Sequence, residues 1–498
     1  MGARQAGEAE LLQYDMVIGG RLMPAESGAR MGTVDPYRGA EWATVPEGSS
    51  VDVDRAVGAA RAAFKNGPWA EMTATQRGAL LRRLGDILLR DAEELAAIET
   101  RDNGKLYREM IGQWRYIPQW YYYYAGMADK IQGYTLPSDR PNYFLYTRRE
   151  PIGVVAAISA WNSPMMLLTY KLAPGLAAGC TFVAKPSEHS PISTLEFAKR
   201  FEEAGFPPGV FNVVTGGAEV GQALVGHPGV DKVAFTGATA TGKAIAQAAS
   251  KNLTRVALEL GGKSPNIVFD DADLDLAASG AIAGIFGATG QTCVAGSRLL
   301  VHEDVHDALV ERILSRTRTI KLGDPMQADT EMGPAANEPQ FRKILSYFDI
   351  ARKDGATCVH GGQADPILGG NFVQPTIFTN VTNDMRIARE EVFGPILSVI
   401  KFRDEAQAID IANDTRFGLA AAVWTQNIHR AHRVAHKLRA GTVWINAYRL
   451  MSFTAPFGGF GESGIGRENG VDAVLEFLET KSVYVELSGK GRDPFALG

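Results

Sequence analysis

Three residues far apart in the chain could together act on a carbonyl. Cys293 stands in Gly290-Gln-Thr-Cys-Val-Ala-Gly-Ser-Arg298, a loop of small residues that closes a helical stretch. Alone, such a cysteine is more often a buried small hydrophobe than a nucleophile. Glu259 upstream changes that reading. It ends the apolar strand of Leu258-Glu259-Leu260-Gly261-Gly262-Lys263, which opens into two glycines. A carboxylate in such surroundings is desolvated, and its pKa rises toward the range useful to a general base. Trp161-Asn162-Ser163-Pro164 ends another apolar strand, at the carboxyl edge where α/β sheets bind ligands. The Asn162 amide could donate to a developing oxyanion without bringing a charge.

Two further patterns fall short of the motifs they approach. Phe235-Thr-Gly-Ala-Thr-Ala-Thr-Gly-Lys-Ala244 follows a strand and opens a helix, so its backbone could approach a pyrophosphate. It has the glycines and lysine of a nucleotide-triphosphate loop, but Ala244 replaces the magnesium-binding hydroxyl. Gly262-Lys263-Ser264 has Ala257 where that motif needs its first glycine. His302-Glu-Asp-Val-His306 matches the zinc-protease pattern, which requires both histidines on one helix face. Here His302 ends an apolar strand and the helix begins only near Glu303-Asp304, so a solvated strand–helix junction is expected and no metal is assigned. His432 and His436 read as surface residues of a basic helix.

The elements that must carry these residues alternate between strand and helix. Apolar strands are expected at 154–159, 181–184, 210–214, 232–235 and 255–258, with helical spacing between them. A second series runs through 266–269, 299–301, 397–402, 421–424 and 443–446. This alternation implies parallel sheets with right-handed crossovers, in two lobes with a cleft between them. Before it come short strands around 16–18 and 21–23 and a helix with Val53, Ala56, Val57, Ala60 and Phe64 on one face. A second helix, capped by Thr73 with Gln76, carries Leu80, Leu81, Leu84, Ile87 and Leu88 and is expected to stop near Asn103-Gly104. Tyr121 to Tyr124, beside Trp120, form an aromatic face best explained by core packing. The tail from Lys481 to Leu487 returns to strand pattern and needs a sheet edge to pair with, which another subunit could supply.

The 498 residues call for two or three domains. Apolar residues at 45% and charged ones at 21% belong to a folded globular chain, and a net charge of −5 offers nothing to nucleic acid or anionic lipid. Cys180, Cys293 and Cys358, the three cysteines, are too few and too odd for a disulfide framework and suit a reducing compartment. No signal peptide, myristoylation signal at Met1-Gly2 or membrane span is evident, so a cytoplasmic location is expected.

Seven motifs in order give the chain a specific likeness: Trp161-Asn162, Lys185-Pro-Ser-Glu188, Phe235-Thr-Gly237, Glu259-Leu-Gly-Gly262, Gly290-Gln-Thr-Cys293, Glu391-Val-Phe-Gly-Pro395 and Pro456-Phe-Gly-Gly459. On these, the sequence resembles the NAD(P)-dependent aldehyde dehydrogenase superfamily over nearly its whole length. The resemblance implies an α/β fold with a Rossmann-type NAD-binding domain (1–131 and 151–261), a catalytic domain (262–478) and a small β element for oligomerisation (132–150 and 479–498). It implies oxidation of a small-molecule aldehyde to a carboxylic acid through a thioester on Cys293, with Asn162 at the oxyanion and Glu259 activating water. Lys185 and Glu188 would face the adenosine ribose, Glu391 the nicotinamide ribose, and Phe393 would pack near the nicotinamide. Ser159, Trp161, Ser187, Gly217, Phe235, Thr236, Gly237 and Leu260 would complete the cofactor groove. Glu188 sets a negative charge where NADP would bring its 2′-phosphate, which favours NAD. A homo-oligomer is implied, the tetramer before the dimer.

The aldehyde tunnel implied by the resemblance is lined by Ser163, Leu167, Tyr170, Thr292, Val294, Arg449, Met451 and Phe457. Ser163 is small where relatives often carry an aromatic, which leaves room. Arg449 is the unusual charge: it would either recognise the far carboxylate of a semialdehyde or bond to backbone or an acidic neighbour at the tunnel mouth. Ala238 stands where many relatives have serine and lacks one hydrogen bond to the pyrophosphate. Two alternatives stay open, a CoA-acylating dehydrogenase and a non-catalytic structural relative.

Overall fold

The fold, a computed structural model, describes residues 11–491 and Phe495. Met1-Gly2 and the end of the tail lie outside the described residues. Both expected α/β series form sheets. In the first, the parallel strands run Arg255–Glu259, Lys232–Thr236, Val154–Ile158, Thr181–Lys185, Phe211–Val213 across the sheet. Strand order therefore reverses at Val154–Ile158, whose two neighbours come later in the chain on either side. Loops leaving the carboxyl ends at such a reversal diverge and open a crevice. Trp161-Asn162 leave from that point, and Gly237 leaves from the adjacent strand. The short strands Met16–Ile18 and Arg21–Met23 extend the far edge antiparallel.

The second sheet holds Thr376–Thr379, Ile396–Phe402, Arg298–His302, Pro265–Val268, Ala420–Trp424 and Thr442–Ile445 in parallel, with Thr357–His360 antiparallel at one edge. Its strands Pro265–Val268, Arg298–His302 and Ile396–Phe402 begin just after Gly262, Cys293 and Glu391. The amino edge of the second sheet thus faces the crevice of the first. Residues 464–478 do not stay with the second lobe. Gly464–Ile465 pairs antiparallel with Arg255–Glu259, and Ala473, Val474 and Phe477 enter the first lobe's core. That return strap crosses the cut expected at residue 262.

Local chemistry explains the main departures from expectation. The helix capped by Thr73 ends at Arg90, and a separate helix spans Ala92–Asn103. Asp91 breaks them because its carboxylate accepts from Arg90 and, at 2.9 Å, from Arg200 Nε, which hold it out of the helical path. Gly104, at φ +76°, closes the second helix in the left-handed conformation that a side chain disfavours. The terminal strand Leu478–Glu486 pairs along its whole length with Tyr143–Pro151 of its own chain, and Thr135–Leu136 adds a third strand. The tail therefore needs no other subunit to complete its first ladder. His302 ends its strand and accepts the Asp304 amide on Nδ1, while His306 opens the next helix beside Asp307. Among the described residues no group of three or more His, Cys, Asp or Glu is placed to hold a metal, and no helix is long and apolar enough to cross a membrane. Trp120, Tyr121 and Tyr124 are buried in the first lobe's core.

Candidate active site

Cys293 depends on a strained loop. Ala288 and Thr289 adopt φ of +53° and +55°, left-handed values costly for residues with a Cβ, and Gly290 follows at +67°. A Cβ on Gly290 would lie 2.2 Å from the Gly394 carbonyl, so only glycine lets the loop pack there. Gln291 braces it, its Oε1 accepting the Ala336 amide at 2.9 Å. Asn162 Nδ2 donates to the Gln291 carbonyl at 2.9 Å. One N–H of the Asn162 amide thus ties the two loops together, and the second remains for a ligand.

Glu259 pairs in register with Thr236 and lies buried at the sheet's carboxyl edge. Leu260 donates its amide to the Ser463 carbonyl at 2.9 Å, and the Ser463 hydroxyl donates to the Gly261 carbonyl at 2.7 Å, so the return strap fixes this turn. Gly458 comes so close that a Cβ there would sit 2.8 Å from Glu259 Oε1. Glu259 Oε2 is buried with no hydrogen-bond partner. Burial first, and then the neighbouring Glu468 carboxylate, push the Glu259 carboxyl well above the ordinary range. Glu468 is itself raised by burial and takes a hydrogen bond from Lys171 Nζ at 2.5 Å. Lys171 also donates to the Thr236 hydroxyl at 2.6 Å, which ties that predicted cofactor residue to the ion pair.

The Cys293 thiol is pushed up to about 12 by burial and then by the Glu391 and Glu259 carboxylates, with backbone amides of Cys293 and Val294 pulling the other way. The residue is therefore a thiol at rest. A thiol beside a carboxyl with raised affinity for protons is an arrangement in which a proton can be passed before attack.

Cys293, Glu259 and Asn162 line one cleft, together with Trp161, Leu167, Thr236, Gly237, Leu260, Glu391 and Phe393. Ten predicted residues are thereby brought together. Gln340 and Lys343 line the cleft too, and no sequence motif marked them. Gln340 Nε2 donates to the Val392 and Phe393 carbonyls at 2.9 and 2.8 Å and holds Phe393 at φ +63°. Phe393 meets Trp161 edge to face at 5.3 Å.

A dinucleotide fits the groove beyond this cleft. A Cβ on Gly237 would fall 2.4 Å from the Phe235 ring, which would have to move to admit one. The helix Thr239–Ala249 starts from Ala238 without a side-chain cap, leaving its first amides to other acceptors. Glu391 is held by the Gly262 amide at 3.0 Å. Lys185 stands 3.7 Å from Glu188 at the end of Thr181–Lys185, with Ser159 buried on the adjacent strand end. Ser187 accepts the His189 amide at 3.3 Å, and Gly217 opens the helix Ala218–Gly226 with open space beside it.

The predicted tunnel residues divide. Tyr170 stacks on Trp120 at 5.2 Å and meets Phe457 at 6.3 Å. Thr292 lines a small cavity with Ala295 and Val392, and the Val294 carbonyl accepts the Tyr448 hydroxyl at 3.0 Å. The Met451 carbonyl accepts from Tyr116 at 3.4 Å. Arg449, at φ +61°, donates to the Ala283 carbonyl at 3.0 Å. Ser163 accepts a 2.6 Å hydrogen bond from the buried Lys105 Nζ, a residue absent from every motif.

Residues 23–483 match the aldehyde dehydrogenase family. The chain belongs to that family. It is accordingly an oxidoreductase acting on an aldehyde. Relatives cover it almost end to end: a (Z)-2-((N-methylformamido)methylene)-5-hydroxybutyrolactone dehydrogenase of Acinetobacter baylyi is 46% identical over 97% of this chain and 99% of its own. An aldehyde dehydrogenase of Emericella nidulans is 46% identical over 96% of this chain and 97% of its own. Among solved structures, betaine aldehyde dehydrogenase of Staphylococcus aureus in complex with NAD+ superposes with a TM-score of 0.96 at 41% identity, covering 97% of each chain. An aldehyde dehydrogenase of Bacillus cereus gives 0.94 at 46% identity, covering 95% of this chain and 97% of its own.

Proposed function

We propose that this dehydrogenase oxidises its aldehyde through a covalent thioester on Cys293, with NAD as cofactor. The convergence of Cys293, Glu259 and Asn162 on one cleft carries the reading. The Cys293 thiol passes its proton to the ionised Glu259 carboxylate and the thiolate adds to the aldehyde carbon, forming a C–S bond and an alkoxide. The free Asn162 amide N–H and the Cys293 backbone amide receive that oxyanion. Collapse of the alkoxide expels hydride and leaves a thioester. Bound NAD supplies the hydride acceptor, held by the groove of Lys185, Glu188, Gly237, Glu391 and Phe393. Glu259 then takes a proton from water, whose oxygen attacks the thioester and releases the acid and the thiolate. Glu259 sheds the thiol's proton to solvent before that step, beside the buried Lys171–Glu468 ion pair.

The test is NADH formation from a panel of aliphatic, aromatic and carboxylated aldehydes. Loss of all activity in Cys293→Ala, and at most a single slowed NADH burst without turnover in Glu259→Gln, are expected. Steady turnover in Glu259→Gln would remove the assigned base. Acyl-CoA formation on adding CoA would favour the acylating alternative. The three free cysteines suit the reducing cytoplasm. The exposed Tyr484 and Val485 on Leu478–Glu486 support a homo-oligomer, the tetramer before the dimer, to be read by sedimentation.

A further inference from the structure

Lys105 leaves the left-handed Gly104 turn and runs inward to the position next to Asn162. It is 7% exposed, and the hydrogen bond to Ser163 Oγ is the one its ammonium makes among the described residues, with no carboxylate at ion-pair distance. Two of its three N–H donors are thus unused in a buried place, where an unmade hydrogen bond is costly. Burial pushes Lys105 down to about 8, and Glu109, Arg449, Glu99 and Cys293 all lie within its electrostatic reach. Glu109 belongs to the same corner: its Oε1 accepts the Ala288 amide of the Cys293 loop at 3.0 Å, and its Oε2 is buried without a partner. Ser163 Oγ in turn approaches Gln113 Oε1 at 3.4 Å. The corner beside Ser163 is therefore polar, holding an ammonium with donors to spare and, within its electrostatic reach, a carboxylate with one oxygen unpartnered.

We infer that this corner, with Lys105 as its specificity-determining residue, selects aldehydes that carry a hydroxyl one or two carbons from the reacting carbon. A hydroxyl oxygen accepts from Lys105 while its hydrogen goes to Glu109 Oε2, so both orphaned groups are satisfied at once. An alkyl chain satisfies neither. A substrate carboxylate could accept from Lys105 but meets Glu109 with like charge. The inference rests on the proposed reaction at Cys293, because it places the aldehyde carbon on that sulfur.

Two substrate pairs of equal size test it by NADH formation: 3-hydroxypropanal against butanal, and glycolaldehyde against propanal. In the unmodified enzyme the hydroxylated member of at least one pair should show the higher kcat/KM, a result that needs no variant. Lys105→Met should lower that ratio roughly 10- to 100-fold, mainly through KM, the range expected for a charged hydrogen bond. Lys105→Gln, which keeps N–H donors, should recover part of it. Preference for the alkyl aldehydes, preference for succinate semialdehyde over both hydroxylated substrates, or an equal fall for both members in Lys105→Met would overturn the assignment. Failure to oxidise any aldehyde would instead overturn the reaction at Cys293, and the inference with it.

Discussion

Lys171 and Glu468 form a buried ion pair, N to O 2.5 Å, whose acid raises the proton affinity of the neighbouring Glu259. Replacing Glu468 by glutamine removes a negative charge and keeps the shape. Glu259 should then hold its proton less tightly, so the rising limb of thioester hydrolysis against pH should move to lower pH. Stopped-flow measurement of the step after the NADH burst checks this, and a limb that stays or moves upward would break the coupling. Lys171→Met should act differently, since it strands Glu468 in the interior. Such a lost partner costs about 3–5 kcal/mol, to be read as a lower urea midpoint.

The Cys293 thiol, pushed up to about 12 by burial and by the Glu391 and Glu259 carboxylates, should be a slow nucleophile without ligands. A raised thiol pKa leaves a small thiolate fraction that grows about tenfold with each pH unit below that value. Iodoacetamide labelling of the free enzyme, followed at Cys293 by peptide mass, should therefore keep rising from pH 6 to pH 10. A plateau near neutrality would show that the thiolate is already formed.

Gly290 is the most demanding backbone position in the nucleophile loop, at φ +67° with the Gly394 carbonyl 2.2 Å from any added Cβ. Gly290→Ala adds left-handed strain of about 1–3 kcal/mol and a backbone clash that no side-chain rotation relieves. Displacing the sulfur by about an ångström costs roughly 100-fold in rate. The expected result is a lower thermal midpoint together with that loss in kcat, and a fully active variant would show that the loop relaxes freely.

Asn162→Ala should lower kcat by about 10²–10³ with a smaller change in KM, as for other oxyanion donors. The same change removes the bond to the Gln291 carbonyl. Asn162→Gln, which keeps an amide one methylene away, therefore separates the two roles: recovery of stability without recovery of kcat supports donation to the oxyanion.

Much of this site was legible in the chain because its residues sit at strand ends. A run such as 255–259 announces its strand by β-branched and apolar content, and its last residue is then carried to the sheet edge. Glu259, Asn162 and Gly237 were readable for that reason, as were the sheets that hold them. Lys105, Lys171, Gln340 and Lys343 were not. Their importance comes from side chains that cross between elements distant in sequence, and neither period nor spacing records such a crossing. The break at Asp91 was hidden in the same way, since Arg200, which holds it, comes from another helix. The tail strand was readable as a strand, but its partner Tyr143–Pro151 lies far upstream, and pattern alone does not choose among edges.

Glu188 makes the final prediction. Its carboxylate lies 3.7 Å from Lys185 Nζ and keeps 38% of its side chain exposed, at the strand end proposed to receive the adenosine ribose. A 2′-phosphate there would meet like charge, whereas a 2′-hydroxyl could donate to it. Glu188→Gln removes the repulsion and weakens the acceptor, so the two cofactors should respond in opposite directions. The ratio of kcat/KM for NADP over NAD should rise about tenfold, equivalent to roughly 1.4 kcal/mol, with NADP gaining and NAD losing. Parallel losses for both cofactors would mean that Glu188 only orients Lys185. An unchanged ratio would place the ribose elsewhere along the groove.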